Sequence, residues 1–311
     1  MRKGIKATLI TIGSLAGVVA LGLVTTTIIE ANASKQEATQ ITDYGTRIST
    51  SAGEVNVYQQ GAGSQTIVLL PGFGTASPAL DFIPLIDELS ATYRVIAYEP
   101  LGSGLSDDTS APRTIENYAS ELHETLEELD ITDPVLMGHS IAGIYALNYV
   151  NTYPGEVAAF VGIDNSVPGQ PGSDEAMDLS SASTLKSLGL LRLLNGGEDP
   201  LYATGPYTES EKEQIRLLTN RNSMSQAVVS EAALLPESFA TVKDQRFPAE
   251  FPVLLFVAPD PTTPIWKDLH AEQISGLDHG ELIELPGEHY LHHTQSAQIA
   301  AETRSFLSTT N

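Results

Sequence analysis

Gly138-His139-Ser140-Ile141-Ala142-Gly143 follows a short apolar run, Pro134-Val135-Leu136-Met137, that reads as a buried strand. It leads into Ile144-Tyr145-Ala146-Leu147-Asn148-Tyr149-Val150, which reads as a helix. A serine at a sharp strand-to-helix turn, between neighbours small enough to let the backbone turn tightly, is a nucleophile elbow. The turn lifts the hydroxyl out of the sheet and aims the next N–H, that of Ile141, at the point where an acyl oxygen gains negative charge. The usual pattern is Gly-x-Ser-x-Gly. Here the fifth position is Ala142, with Gly143 after it, and alanine still leaves little bulk.

Working outward, strand and helix signals alternate on both sides of the elbow. Arg47–Thr50 and Glu54–Gln59 read as a hairpin across Ser51-Ala52-Gly53. Ile67–Leu70 is an apolar run closed by Pro71-Gly72, Pro78–Leu89 has helical spacing, and Tyr93–Tyr98 is another strand. Thr114–Leu129 places Ile115, Tyr118, Leu122, Leu126 and Leu129 three and four residues apart, the stripe of an amphipathic helix. Val157–Ile163 is a strand. The alternation resumes at Pro252–Val257 (strand), Pro264–Ile274 (helix), Glu281–Leu285 (strand) and Thr294–Leu307 (helix). This rhythm predicts βαβ crossovers, hence an α/β fold with a mostly parallel central sheet flanked by helices. Residues 166–250 break it. After a Pro/Gly/Ser-rich stretch come helical segments near Leu179–Leu194 and Glu209–Leu235, with loop signals at Asn195-Gly196-Gly197 and Thr204-Gly205-Pro206. That stretch is expected to be a helical cap inserted into a core of residues 45–165 and 251–311.

A serine hydroxyl needs a base to take its proton, and the base works best when a carboxylate orients it. Elbow serines are followed in chain order by the acid and then the histidine. His270, His279, His289, His292 and His293 follow Ser140. His289 is selected because it sits in Leu285-Pro286-Gly287-Glu288-His289, on the loop leaving the last strand, and parallel sheets gather their sites at the carboxyl ends of strands. His292 and His293 read as surface or helix-start residues, and His139 as a packing residue beside the nucleophile. No ligand spacing for a metal is recognisable around these histidines. For the acid, Asp260 in Ala258-Pro259-Asp260-Pro261 is preferred, with Asp164, at the end of the strand before the insertion, as the rival. Leu70-Pro71-Gly72-Phe73-Gly74 supplies a second oxyanion donor, the N–H of Phe73, to pair with that of Ile141.

The amino terminus reads differently. Arg2, Lys3 and Lys6 precede Ala7–Ile29, which carries no charge, and Ala31-Asn32-Ala33 follows. A basic region, an apolar region and a small-x-small site describe a secretory signal peptide, with cleavage after Ala33 as the favoured reading. Twenty-three uncharged residues are also long enough to cross a bilayer, so a retained anchor is the alternative. Residues 34–44 read as a polar spacer. Either way the catalytic domain lies outside the cytoplasm.

Composition narrows the classes further. Hydrophobic residues form 41% of the 311, enough for a packed core. The chain has no cysteine, which excludes disulfides, thiolate metal sites and a cysteine nucleophile. A net charge of −23 excludes nucleic acid as a partner and disfavours anionic lipid headgroups. No protein partner is evident.

Pro71-Gly72-Phe73-Gly74, Glu99-Pro100-Leu101-Gly102-Ser103-Gly104-Leu105-Ser106, the elbow, the Asp260 loop and Pro286-Gly287-Glu288-His289 together resemble the α/β-hydrolase fold superfamily, over roughly residues 45–308. The second motif usually begins with aspartate, and here Glu99 stands there. The resemblance is to the capped esterase, lipase and prolyl-aminopeptidase-like branch. It implies a Ser140–His289–Asp260 triad, an acyl-enzyme, and no metal or organic cofactor. A serine at the elbow argues against relatives that use an aspartate nucleophile, the dehalogenases and epoxide hydrolases. The expected activity is hydrolysis of an ester or related acyl bond of a small molecule. Two alternatives stand beside it. One is a prolyl-type aminopeptidase, for which Glu198, Asp199 and Glu209 are available as cap carboxylates. The other is a non-catalytic sensor holding a small ligand on the same fold.

Overall fold

The computed structural model describes residues 2–194, 199–203, 205–260 and 262–310. Glu198 and the Asn195-Gly196-Gly197 loop therefore lie outside the described residues, as do Thr204 and Pro261.

An eight-stranded sheet runs in the order β1-β2-β4-β3-β5-β6-β7-β8. Its strands are β1 (Thr46–Thr50), β2 (Gly53–Gln60), β3 (Thr66–Leu70), β4 (Arg94–Glu99), β5 (Val135–His139), β6 (Ala159–Ile163), β7 (Val253–Val257) and β8 (Gly280–Glu284). The β1–β2 and β2–β4 pairs are antiparallel, and every pair from β4 to β8 is parallel. Strands β3, β5, β6 and β7 are buried along their whole length, as continuous apolar runs covered on both faces must be.

The period of two along each strand divides the core between those faces. Val68, Leu70, Ile96, Tyr98 and Leu136 pack on one side, with apolar residues of α4 (Ile115–Glu128) and α5 (Ala142–Thr152). Ile67, Leu69, Val95, Ala97, Val135 and Met137 pack on the other. There they meet α2 (Pro78–Asp81), α3 (Ile83–Leu89) and α13 (Ser296–Thr310). The Thr114 hydroxyl accepts the Asn117 N–H and caps α4.

After an irregular stretch over residues 166–179, the regular elements described in the insertion are all helices: α6 (Ser180–Ser187), α7 (Leu190–Leu194), α8 (Pro200–Ala203), α9 (Glu209–Asn222) and α10 (Gln226–Val242). Two helices expected from the sequence are each divided. Gly189, with φ of +71°, separates α6 from α7. Met224, with φ of +57°, and the Ser225 cap separate α9 from α10. The cap sits on the loops that follow β3 and β4. The Asn222 side chain donates to the carbonyls of Ala76 (2.8 Å) and Gly104 (2.9 Å), and the Asp108 carboxylate receives the first amides of α10. After β7 come α11 (Trp266–Gln273) and, beyond β8, α12 (Leu291–Thr294).

At the amino terminus a single helix, α1, runs Arg2–Ala38, through Ala31-Asn32-Ala33 and into the residues read as a polar spacer.

Candidate active site

Ser140 lies between the end of β5 and the start of α5 with φ of +55°, a conformation that costs an L-residue energy and is held only when its surroundings demand it. Ser140 N–H donates to the Ile163 carbonyl, and its own carbonyl accepts from Gly143 and Ser166. Small residues make this turn possible. A Cβ on Gly138 would come within 2.8 Å of Ala142 Cβ, and one on Gly143 within 2.4 Å of the Ser166 carbonyl. Gly72, from the loop after β3, backs directly onto the elbow, where a Cβ would stand 2.8 Å from His139 and 3.2 Å from Ser140 Cβ.

His289 Nε2 lies 3.0 Å from Ser140 Oγ, and its Nδ1 lies 2.6 Å from Asp164 Oδ2. The carboxylate on His289 is thus Asp164, and the assignment of Asp260 to that place is corrected. Asp164 leaves the end of β6, the strand paired to β5, and its side chain is almost fully buried. Its second oxygen accepts from the Ala258 N–H (2.9 Å) and the Trp266 indole (2.8 Å), so the carboxylate is fixed from two further elements. Asp164 also has positive φ, +42°. Asp260, one strand further away, turns back on its own loop and accepts from Thr262 N–H (2.8 Å) and hydroxyl (2.7 Å). The Thr262 bonds hold its carboxyl below the usual carboxylate range.

Among the described residues no protein acceptor takes the backbone N–H of Phe73 or of Ile141. Two unspent amides on the two loops flanking Ser140 are what an oxyanion site requires.

His139 behaves as a packing residue. It is buried, its Nε2 faces the His289 carbonyl at 3.1 Å, and its ring lies against those of His289, Tyr290 and His292. Burial pushes its pKa well down, so it braces the His289 loop as a neutral ring.

His292 and His293 are not surface residues. Both are buried, and both ring Nε2 atoms meet the Asp81 carboxylate at 2.8 Å. Tyr202 of α8 donates to the same carboxylate (2.9 Å), and Tyr207 donates to the Asp81 carbonyl (2.7 Å). Burial alone would raise the Asp81 pKa, but the two histidines more than offset it and hold it far below the carboxylate range. Asp81, His292 and His293 carry ligand atoms within 4.8 Å of one another and are the described residues able to hold a metal. Their facing atoms are already joined by hydrogen bonds, which makes the cluster a closed polar hub between core, cap and the His289 loop.

A cavity of about 20 Å³ lies between the Pro71–Thr75 loop, the loop after β4, and the cap. Val228 of α10 lines it, whereas Leu217 and Leu218 of α9 are buried within the protein. Glu231 of α10 also lines the cavity, accepts the Tyr145 hydroxyl at 2.6 Å, and is pushed up in pKa by burial. The cap carboxylates named from the sequence are elsewhere. Glu209 is exposed and paired with Lys212, and Asp199 accepts the Leu201 N–H. The sequence signal for Glu231 is the one acid within the run Ala227–Leu235, which is apolar but for it and Ser230.

Glu99 replaces the usual aspartate by becoming a buried junction. It accepts from the Tyr44 hydroxyl, the Asn56 amide and the N–H groups of Ala79 and Leu105. Gly104 leaves room for its longer side chain, since a Cβ there would stand 1.8 Å from Glu99 Oε2.

Known proteins are similar to this chain in sequence or in fold. A family described as alpha/beta hydrolase fold matches residues 65–189. The uncharacterised protein YbdG of Bacillus subtilis is 30% identical over 158 residues, 50% of this chain and 49% of YbdG. RutD of Pantoea ananatis, named as a candidate carbamate hydrolase, is 34% identical over 107 residues, 34% of this chain and 38% of RutD. The chain thus spans about half or less of the length of these curated relatives. A thermophilic esterase from Thermogutta terrifontis superposes with a TM-score of 0.64 at 18% identity, over 86% of this chain and 99% of the esterase.

Proposed function

From the α/β-hydrolase fold of this chain we propose that it is a serine hydrolase acting outside the cytoplasm on an ester or related acyl bond of a small molecule. The observation that carries this reading is the unbroken chain of contacts Ser140–His289–Asp164, at 3.0 and 2.6 Å. Ser140 Oγ attacks the acyl carbon while its proton passes to His289 Nε2, and the carbonyl π electrons move onto oxygen. The N–H groups of Phe73 and Ile141 receive that oxyanion. Collapse of the intermediate restores the C=O bond and breaks the bond to the leaving group, which takes the proton from His289. Water then attacks the acyl-enzyme by the same route, with His289 as base, releasing the acid and freeing Ser140. Asp164 holds the imidazole tautomer and faces the positive charge that forms on it. None of these steps requires a metal or organic cofactor.

The test is Ser140→Ala, screened with wild type against acyl esters of graded chain length and amino-acid arylamides. Turnover by wild type should fall by about six orders of magnitude in the variant, and covalent labelling by an organophosphonate should vanish with it. Persistent labelling in Ser140→Ala, or wild-type turnover of no acyl compound, would refute the assignment. The arylamides separate the aminopeptidase alternative.

A further inference from the structure

The described part of α1 includes a stretch, Ala16–Ala38, long and apolar enough to cross a membrane, and none of its apolar window is buried by the rest of the protein. Six of the nine exposed large hydrophobic residues among the described ones lie on it: Val18, Val19, Leu21, Val24, Ile28 and Ile29. A patch of that kind on an otherwise acidic protein calls for an apolar partner. The hydroxyls of Thr25, Thr26 and Thr27 donate back to the carbonyls of Leu21 and Leu23, so none needs water.

The outer end of the same helix is built into the cap. Arg192 forks onto Glu30 (2.6 Å) and onto Glu37 (2.7 Å), and Glu37 also receives Arg216 and Asn220. The Gln214 side chain closes the run, accepting from the Thr42 N–H and donating to the Gln40 carbonyl. These contacts grip both sides of Ala31-Asn32-Ala33, so the small-x-small site, though largely exposed, lies within a braced helix, unlike the loop tips that proteases cut. Arg192 holds both glutamates below their usual range, as a lasting ion pair does.

The position of the cap follows. Gly189, at the α6–α7 break, lies against the Thr26 carbonyl, where a Cβ would come within 2.4 Å. Thr26 is four residues inside Glu30, about 6 Å along the helix. That depth is the interfacial layer of a membrane whose apolar span ends near Glu30. Leu185, one turn before Gly189, is exposed there. Arg2, Lys3 and Lys6 precede the span and set its amino end on the cytoplasmic side.

We propose that α1 remains on the mature protein as a membrane anchor clasped to the cap by Arg192, and that the cap edge around Gly189 rests in the bilayer interface. Resting on the hydrolase reading above, the site then takes an acyl substrate that partitions into the membrane. The occupant of the exposed apolar face is the lipid bilayer itself.

The full chain should be purified from membranes and its intact mass measured. A mass that retains residues before Ala33 is expected, and a mature protein beginning at Ser34 overturns the proposal. Because the chain has no cysteine, Leu185→Cys and Glu281→Cys, the latter on edge strand β8, can each carry one fluorophore in phosphatidylcholine vesicles. Spin-labelled lipid should quench the label at 185 and spare the one at 281, and equal quenching overturns the interfacial placement. Arg192→Ala should lower turnover of a vesicle-borne long-chain ester roughly tenfold and leave that of a water-soluble short-chain ester unchanged. An equal effect on both overturns the membrane route. Mass and quenching need no turnover, and organophosphonate labelling of Ser140 reports the reaction separately, so failure of either reading is distinguishable.

Discussion

Asp164 and Asp260 leave the carboxyl ends of adjacent strands, β6 and β7, yet their surroundings are opposite. Asp164 follows the strand hydrogen-bonded to the nucleophile strand, is buried, and accepts from His289, Ala258 and Trp266. Asp260 sits one strand further out and spends its carboxylate on the hydroxyl and amide of Thr262. Two acids equally well placed along the chain therefore differ in what is left for them to orient. A carboxylate can steer an imidazole when its remaining lone pairs are fixed by donors from other elements, as those of Asp164 are. One that closes its own turn is already occupied.

Asp164→Asn gives the largest expected effect on that comparison. Losing the orienting charge should cut the acylation rate by about four orders of magnitude, read as the single-turnover rate on an activated ester. If Asp260→Asn did the greater damage, the roles of the two loops would be reversed. Asp81 extends the comparison to a buried carboxylate that orients histidines without touching Ser140. Asp81→Asn replaces an acceptor by a group that must point one donor at a histidine N–H, and should destabilise the protein by about 3 kcal/mol or more in urea unfolding. The folded pKa of Asp81 lies below its unfolded value. Its contribution is therefore present above about pH 4 and lost as pH falls below that. The slope of stability against pH in this acid range should flatten in Asp81→Asn. Tyr202→Phe removes one donor from the same hub and should cost about 1 kcal/mol, measured the same way. Smallest of all, Asp260→Asn should leave turnover within about twofold of wild type, the usual range for a surface change.

Much of the core was legible because its signals are local. Short, mostly apolar runs marked β3, β5, β6 and β7, and the three- and four-residue steps of α4 marked its buried face. Helix breaks were less legible. The divisions at Gly189 and Met224 depend on left-handed backbone that the apolar spacing on either side hides. Ser140 and His289 were readable from their turns, and the structure brings them within hydrogen-bonding distance. His292 and His293 read as surface or helix-start residues; they do lie in the short helix α12, but nothing nearby in sequence announces Asp81, more than two hundred positions earlier, against which they are buried.

The sequence by itself determined the alternation of strands and helices, the elbow, the histidine loop and the apolar amino-terminal segment, since each depends on residues within a few positions of one another. Only the tertiary structure decided which aspartate meets His289, what Glu99, Asp81 and Glu231 are for, and that Arg192 joins the cap to α1. Those are choices among charged groups distant in sequence. They are settled by which strands are neighbours and by which buried lone pairs still lack a donor, and neither is written in local spacing.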